Sequence, residues 1–238
     1  YTVADGMRDG NVLGFDSVPQ PTYKDKDLRK AVALEKAKAQ DETEVFANDS
    51  KKKIYMHWMY DVPMGEQLDD DGDSLESIEG CLTDAQYNRD EHRKAVIDDI
   101  LDNWVSQSHN GKFHAILATS SIPEAIKYYK LFAQRDCGLK TTAVFDPSDG
   151  NNESSIEKID GIAQMLEDYN SLFGTCFNIS GYASFKRDVC ARLAHKTPYT
   201  AVENEPSKCL DILIVVDQML TGYDSKWLNT LYMDKFYK

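Results

Sequence analysis

Two polar stretches, each following directly on an apolar run, hold the side chains best suited to chemistry. Ile212 to Val216 is followed by Asp217, Thr221, Gly222 and Asp224, and Phe113 to Ala118 is followed by Thr119, Ser120 and Ser121. Gly222 lets the backbone approach a ligand closely or adopt a positive φ. Thr221 offers a hydroxyl to a phosphate, and Asp224 a carboxylate to a ribose hydroxyl or an arginine. A tight strand-to-helix connection closed by an aspartate cap accounts for the same residues without a ligand. In the second stretch, Ser121 and Glu124 form a capping box with Pro123 in the first turn. Hydroxyls and backbone N–H groups at a helix N-terminus also suit a phosphate oxygen, and such contacts hold a nucleic-acid backbone without reading its sequence.

Other chemistries find no support in the sequence. No G-x-x-x-x-G-K-[ST] run is present to cradle phosphates and no D-E-x-H-type box to hold magnesium, so no residue is assigned a catalytic role. Asp69 to Asp73 invites a calcium-loop reading. With Gly72 at the sixth position, however, Gln67 and Ile78 stand where the first and last ligands belong. The five cysteines are widely spaced with no C-x-x-C pair, which favours reduced thiols and makes zinc improbable. The histidines lack ligand spacing, so no metal site is expected.

The elements that must position these residues follow from apolar spacing. Ile97, Ile100, Leu101 and Trp104 predict a helix with one buried face. A strand is expected from Phe113 to Ala118 and a helix along Ile122, Ala125, Ile126, Tyr129, Phe132 and Ala133, stopping near Gly138. Thr141 to Phe145 predicts a second buried strand, and Ile156, Ile159, Ala163, Leu166 and Phe173 a further helix. Cys176 to Ile179 reads as a short extended piece. Phe185, Val189 and Leu193 place a basic helix, with Lys186, Arg187, Arg192 and Lys196, against the core. Ile212 to Val216 is a short, wholly apolar run that predicts a parallel strand buried on both faces, with a second run from Leu228 to Met233. Alternating strands and helices imply an α/β fold, a parallel sheet with helices on both faces, whose ligands sit outside the carboxyl ends of the strands.

Upstream, Lys24 to Lys38 reads as an exposed helix with six basic and three acidic residues, either a solvated connector or a grip on a DNA backbone. Nine acidic residues with no lysine or arginine from Asp61 to Asp84 form a solvated loop and supply most of the formal charge of −13. On that charge the isolated chain is expected to bind DNA weakly. At 42% hydrophobic residues, the 238-residue chain is ordinary for a soluble protein, and no apolar run approaches the roughly 18 residues of a membrane span. The opening at Tyr1 and the stop at Lys238 suggest a piece of something longer.

The run LIVVDQMLTGYDSKWLNTLYMDK, residues 213 to 235, resembles motif V of the second RecA-like motor domain in the restriction (R) subunit of type I restriction enzymes. Residues 114 to 132, HAILATSSIPEAIKYYKLF, are similar to the strand and helix that open that domain at motif IV, and residues 1 to 13 to the segment joining the two motor domains. The resemblance implies a RecA-like parallel sheet of helicase C-terminal type over residues 89–238, incomplete at its C-terminus. Residues 1–20 would end the first motor domain, and 21–88 would be a linker or insertion. It implies part of an ATP-dependent DNA-translocating motor, a fragment inactive alone. Thr119, Ser120, Ser121 and Thr221 would meet DNA phosphates, and Gly222 and Asp224 would couple to nucleotide. Thr221 stands where many related helicases carry an arginine, which leaves direct phosphate sensing by this motif open. ATP and magnesium would be bound mostly by the first motor domain. Partners would be double-stranded DNA and the methyltransferase and specificity subunits, in a bacterial or archaeal cytoplasm. Another superfamily-2 helicase or remodeller, or a non-catalytic nucleotide- or protein-binding α/β module, remains the alternative.

Overall fold

A computed structural model describes residues 5, 8, 9, 14, 16–20, 22, 24–65, 67–69, 74–82, 89–135, 137–146, 155–216, 223 and 225–234. The chain divides into two units, residues 1–87 and 88–238.

The described residues of the first unit hold three α-helices: α1 (Asp25–Lys36), α2 (Glu42–Phe46) and α3 (Asp49–Tyr60). Asp41 and Asn48 cap the second and third by accepting from backbone N–H groups of their first turns. The expectation of an exposed helix after Lys24 is corrected in one respect. Val32 and Ala33 on α1 are buried against Val45, Tyr55, Trp58, Val62 and Ile78. Charge dominates the α1 sequence, yet two adjacent small apolar residues suffice to fix one face against α3. The acidic stretch contributes to this core as well, because Ile78 sits just before a 3-10 turn at Glu79–Cys81 and is fully buried.

The second unit begins with α4 (Asp90–Gln107) and continues through β1 (His114–Thr119), α5 (Ile122–Arg135), β2 (Thr141–Val144), α6 (Ser155–Phe173), α7 (Tyr182–Leu193), β3 (Ile212–Val216) and β4 (Leu228–Asp234). The four strands form one all-parallel sheet in the order β2-β3-β1-β4. Every residue of β1 and the first four of β3 are buried. Strands shielded on both faces need helices on both, so the fold is α/β, as the apolar runs predict, and is consistent with the RecA-like sheet that the resemblance implies. On β4, at the sheet edge, half-buried residues alternate with exposed ones, among them Leu231 and Met233.

Two expectations are displaced. On α6 the buried stripe is Ile162, Met165, Leu166 and Tyr169, while Ile159 is exposed. Gly161 explains the rotation: a Cβ there would lie 2.8 Å from Ile126 Cγ2, so this face is the one that can approach α5. The extended piece expected from Cys176 to Ile179 stops at Asn178, whose backbone is extended, and a 3-10 turn follows at Ile179–Gly181, where the Asn178 side chain accepts from the Gly181 N–H. Asn178 satisfies the turn locally, which leaves no need for a strand partner.

Two buried hydroxyls, those of Thr141 and Thr142, are out of keeping with their sites. Thr142 is 1% exposed, and its Oγ1 has no hydrogen-bond partner among the described residues. Thr142→Val should raise the unfolding free energy by about 1 kcal/mol, measured in urea, because valine keeps the shape and removes the buried polar atom. A destabilised variant would mean that the hydroxyl is bonded.

Candidate functional site

The carboxyl end of the sheet gathers one of the two predicted stretches and the exit of the other. Parallel register pairs Thr119 with Val216 on one side and with Asp234 on the other. The chain therefore leaves β1 for Ser120 beside the point where it leaves β3 for Asp217. Thr119 itself is buried, and its hydroxyl donates to the Val215 carbonyl at 3.1 Å. That bond fixes the turn to the neighbouring strand, leaving Ser120 exposed and Ser121 half-buried at the head of α5.

The capping box predicted at Ser121 forms by one half only. Ser121 Oγ accepts from the Glu124 N–H at 3.4 Å, a long bond. The Glu124 carboxylate does not reach back, because the buried Arg93 guanidinium holds both its oxygens, Nε at 2.6 Å and Nη2 at 2.8 Å. Lys127 adds a third contact at 3.1 Å. Burial alone would raise the Glu124 pKa, but the bonds and charges of Arg93 and Lys127 outweigh it and hold the carboxyl below its ordinary value. Beside this pair, Asp234 accepts from the Tyr128 hydroxyl at 2.6 Å and lies 2.7 Å from His92 Nε2. Burial, with the Asp234 charge behind it, drives the Tyr128 pKa far above its usual value. Sequence spacing offered no signal for these pairs, since 31 residues separate Arg93 from Glu124 and 142 separate His92 from Asp234.

Asp217, Thr221, Gly222 and Asp224 lie outside the described residues. Their flanks are placed. The connection leaves Val216 at the carboxyl end, whereas Tyr223 and Ser225 are anchored at the other end of the sheet. The Tyr223 hydroxyl lies 3.2 Å from Nε2 of His114, the first residue of β1, and Ser225 Oγ donates to the Leu193 carbonyl at 3.2 Å.

The basic helix α7 is corrected at one residue. Arg192 is 3% exposed, donates to the hydroxyls of Tyr169 and Tyr199 and to the Lys208 carbonyl, and packs its guanidinium 3.8 Å from the Phe173 ring centre. An arginine so enclosed is a structural strut and offers no charge to a phosphate. Arg187 and Lys196 are exposed.

No group of His, Cys, Asp or Glu among the described residues is arranged to hold a metal, and none of the described helices is long and apolar enough to cross a membrane. At the carboxyl end, the head of α5 presents the exposed Ser120 and the half-buried Ser121.

Residues 111–238, from the entry to β1 through the end of the sheet, match the family model for type I restriction enzyme subunit R domain 3. The chain belongs to that family. It is 27% identical over 243 residues to a type I restriction enzyme endonuclease subunit of Staphylococcus aureus strain MRSA252, with 99% of the chain and 21% of that protein covered. A counterpart in Staphylococcus saprophyticus is 30% identical over 179 residues, covering 71% of the chain and 18% of the relative. The chain thus spans about a fifth of the length of these curated relatives. Within the type I R-subunit domain, β1, β3 and β4 carry both polar stretches, and the match covers every candidate residue singled out in the sequence.

Proposed function

We propose that this chain is the second RecA-like half of a type I restriction R subunit, and that it holds the DNA backbone and couples that hold to nucleotide. The observation that carries the proposal is the turn at the carboxyl end of the sheet, within a chain of this family. Ser120 is exposed, Ser121 is half-buried, and Thr119 is tied to β3 beneath them. The N-terminus of α5 carries partial positive charge; Pro123 has no N–H and the Glu124 N–H is taken by Ser121 Oγ, so what this end offers a phosphate oxygen is the helix dipole and the exposed Ser120 hydroxyl. Ser120 and Ser121 are the contacts, Thr119 sets their position, and Thr221 is proposed as a separate hydroxyl contact. Such contacts grip duplex DNA without reading sequence, as a translocating motor requires.

Gly222 and Asp224 would face nucleotide, with ATP and magnesium held mainly outside this chain. Described residues supply no phosphate-cradling loop of their own. In this reading hydrolysis changes the separation of two motor domains, and this half contributes one of the two holds on DNA. The methyltransferase and specificity subunits would be its partners in the restriction complex, the whole acting as an ATP-dependent endonuclease in the cytoplasm.

The test is DNA-stimulated ATP hydrolysis by the full-length subunit. Asp224→Ala should lower the stimulated rate about tenfold or more, about 1.4 kcal/mol on the barrier, while the 238-residue chain alone hydrolyses nothing. A full-length subunit with no DNA-dependent hydrolysis would leave a non-catalytic binding module as the better account.

A further inference from the structure

The first turn of α4 is bonded at once to the turn proposed to hold phosphate and to the end of the edge strand. Arg93, 1% exposed, grips both oxygens of Glu124, whose own N–H is the one that Ser121 caps. One residue earlier on α4, His92 places Nε2 2.7 Å from Oδ1 of Asp234, the last residue of β4. A carboxylate can only accept, so His92 donates. Tyr128 closes the ring from α5, its hydroxyl donating to the other Asp234 oxygen at 2.6 Å. Five side chains from three elements thus form a circuit, with His92, Arg93, Glu124 and Tyr128 all buried.

The position of α4 in the fold gives this circuit its meaning. His92 and Arg93 stand next to each other in the first turn of α4, so that turn is tied to α5 and to β4 at once. A two-pronged arginine–carboxylate pair out of contact with water is stiff, since neither partner can exchange its bond for a solvent one without a large penalty. Displacement of that turn is passed on, through Glu124 to the head of α5 and through Asp234 to the end of β4.

We infer that His92, Arg93, Glu124, Tyr128 and Asp234 are positioning residues forming a transmission latch, which couples the Ser120–Ser121 turn to the end of β4. The inference rests on the motor reading above and names the route by which the DNA hold is controlled. His92 and Tyr128 touch neither DNA nor nucleotide in this scheme.

The test uses the full-length subunit in its assembled complex, with Tyr128→Phe, His92→Leu and His92→Gln compared with wild type. Both ATP hydrolysis and base pairs moved per ATP are measured. Tyr128→Phe and His92→Leu should lower the distance moved per ATP at least threefold with KM for ATP unchanged. His92→Gln, whose amide nitrogen can stand where Nε2 stands, should restore most of it. A merely structural role would instead lower folded protein, leaving the ratio per active molecule intact. If the His92→Leu variant fails to fold, Tyr128→Phe, which removes a single oxygen, decides alone. Wild-type coupling in the folded variants overturns the latch and leaves the motor standing. Absence of DNA-dependent hydrolysis in the wild type removes the motor reading, and the latch with it.

Discussion

Arg93→Met should cost about 3–5 kcal/mol of unfolding free energy, the range for breaking a buried ion pair from one side. The loss comes mainly from what stays behind. Glu124 is 7% exposed and would keep its charge with only Lys127 beside it, itself half in solvent. The variant should therefore be most impaired where Glu124 is ionised and should recover partly as Glu124 protonates. Replacing both partners, Arg93→Met with Glu124→Leu, should regain most of the loss, because two apolar side chains fill the space with no charge left buried. Chemical denaturation of the three variants at neutral pH checks the pattern. A double variant no better than Arg93→Met would show that Arg93 works through its other contacts, including Asp90 at 2.8 Å.

Acid should weaken the fold well above the carboxylate range, and His114 is the reason. The ring opens β1, is 5% exposed, and lies 3.2 Å from the Tyr223 hydroxyl through Nε2. Burial, helped by the charge of nearby His195, lowers its pKa from the ordinary 6.5 to about 3. The unfolded chain takes up a proton as pH falls through 6.5, which the folded chain refuses until about 3. Stability from this group is thus complete above the unfolded value and is lost as pH drops below it, by about 1.4 kcal/mol per pH unit. Between pH 6.5 and 4.5 that amounts to about 2–3 kcal/mol. His195, whose pKa is lowered by burial against the opposing pull of Glu203, adds a smaller effect of the same sign. His114→Gln can still accept from Tyr223 but cannot titrate, so its stability should be nearly flat over this interval apart from the His195 share. Urea unfolding at half-unit pH steps measures the difference. Parallel curves for the two proteins would show that the folded chain protonates His114 freely.

The stretches around β1 and β3 were legible because their signals are local. Ile212 to Val216 is too uniformly apolar for a half-exposed strand and appears as β3 with those bounds. The Ser121 cap also needed only its neighbours. The first unit was harder to read, since α1 is so rich in charge that its two buried residues, Val32 and Ala33, make no visible stripe. On α6 the apolar residues are numerous enough for several faces, and Gly161 against Ile126 selects one.

By itself the sequence determined the order of strands and helices in the second unit, its parallel α/β class and its family. Each of these follows from the spacing of apolar residues along one stretch of chain or from runs of neighbouring residues. Only the tertiary structure decided that Thr119 turns inward while Ser120 stays exposed, that Arg192 is a strut enclosed by rings, and that Glu124 bonds Arg93 instead of completing its cap. The physical reason is the same in all three. A polar side chain can satisfy itself locally or across the fold, and the choice depends on which partner burial brings within about 3 Å, a distance set by elements far apart in the chain.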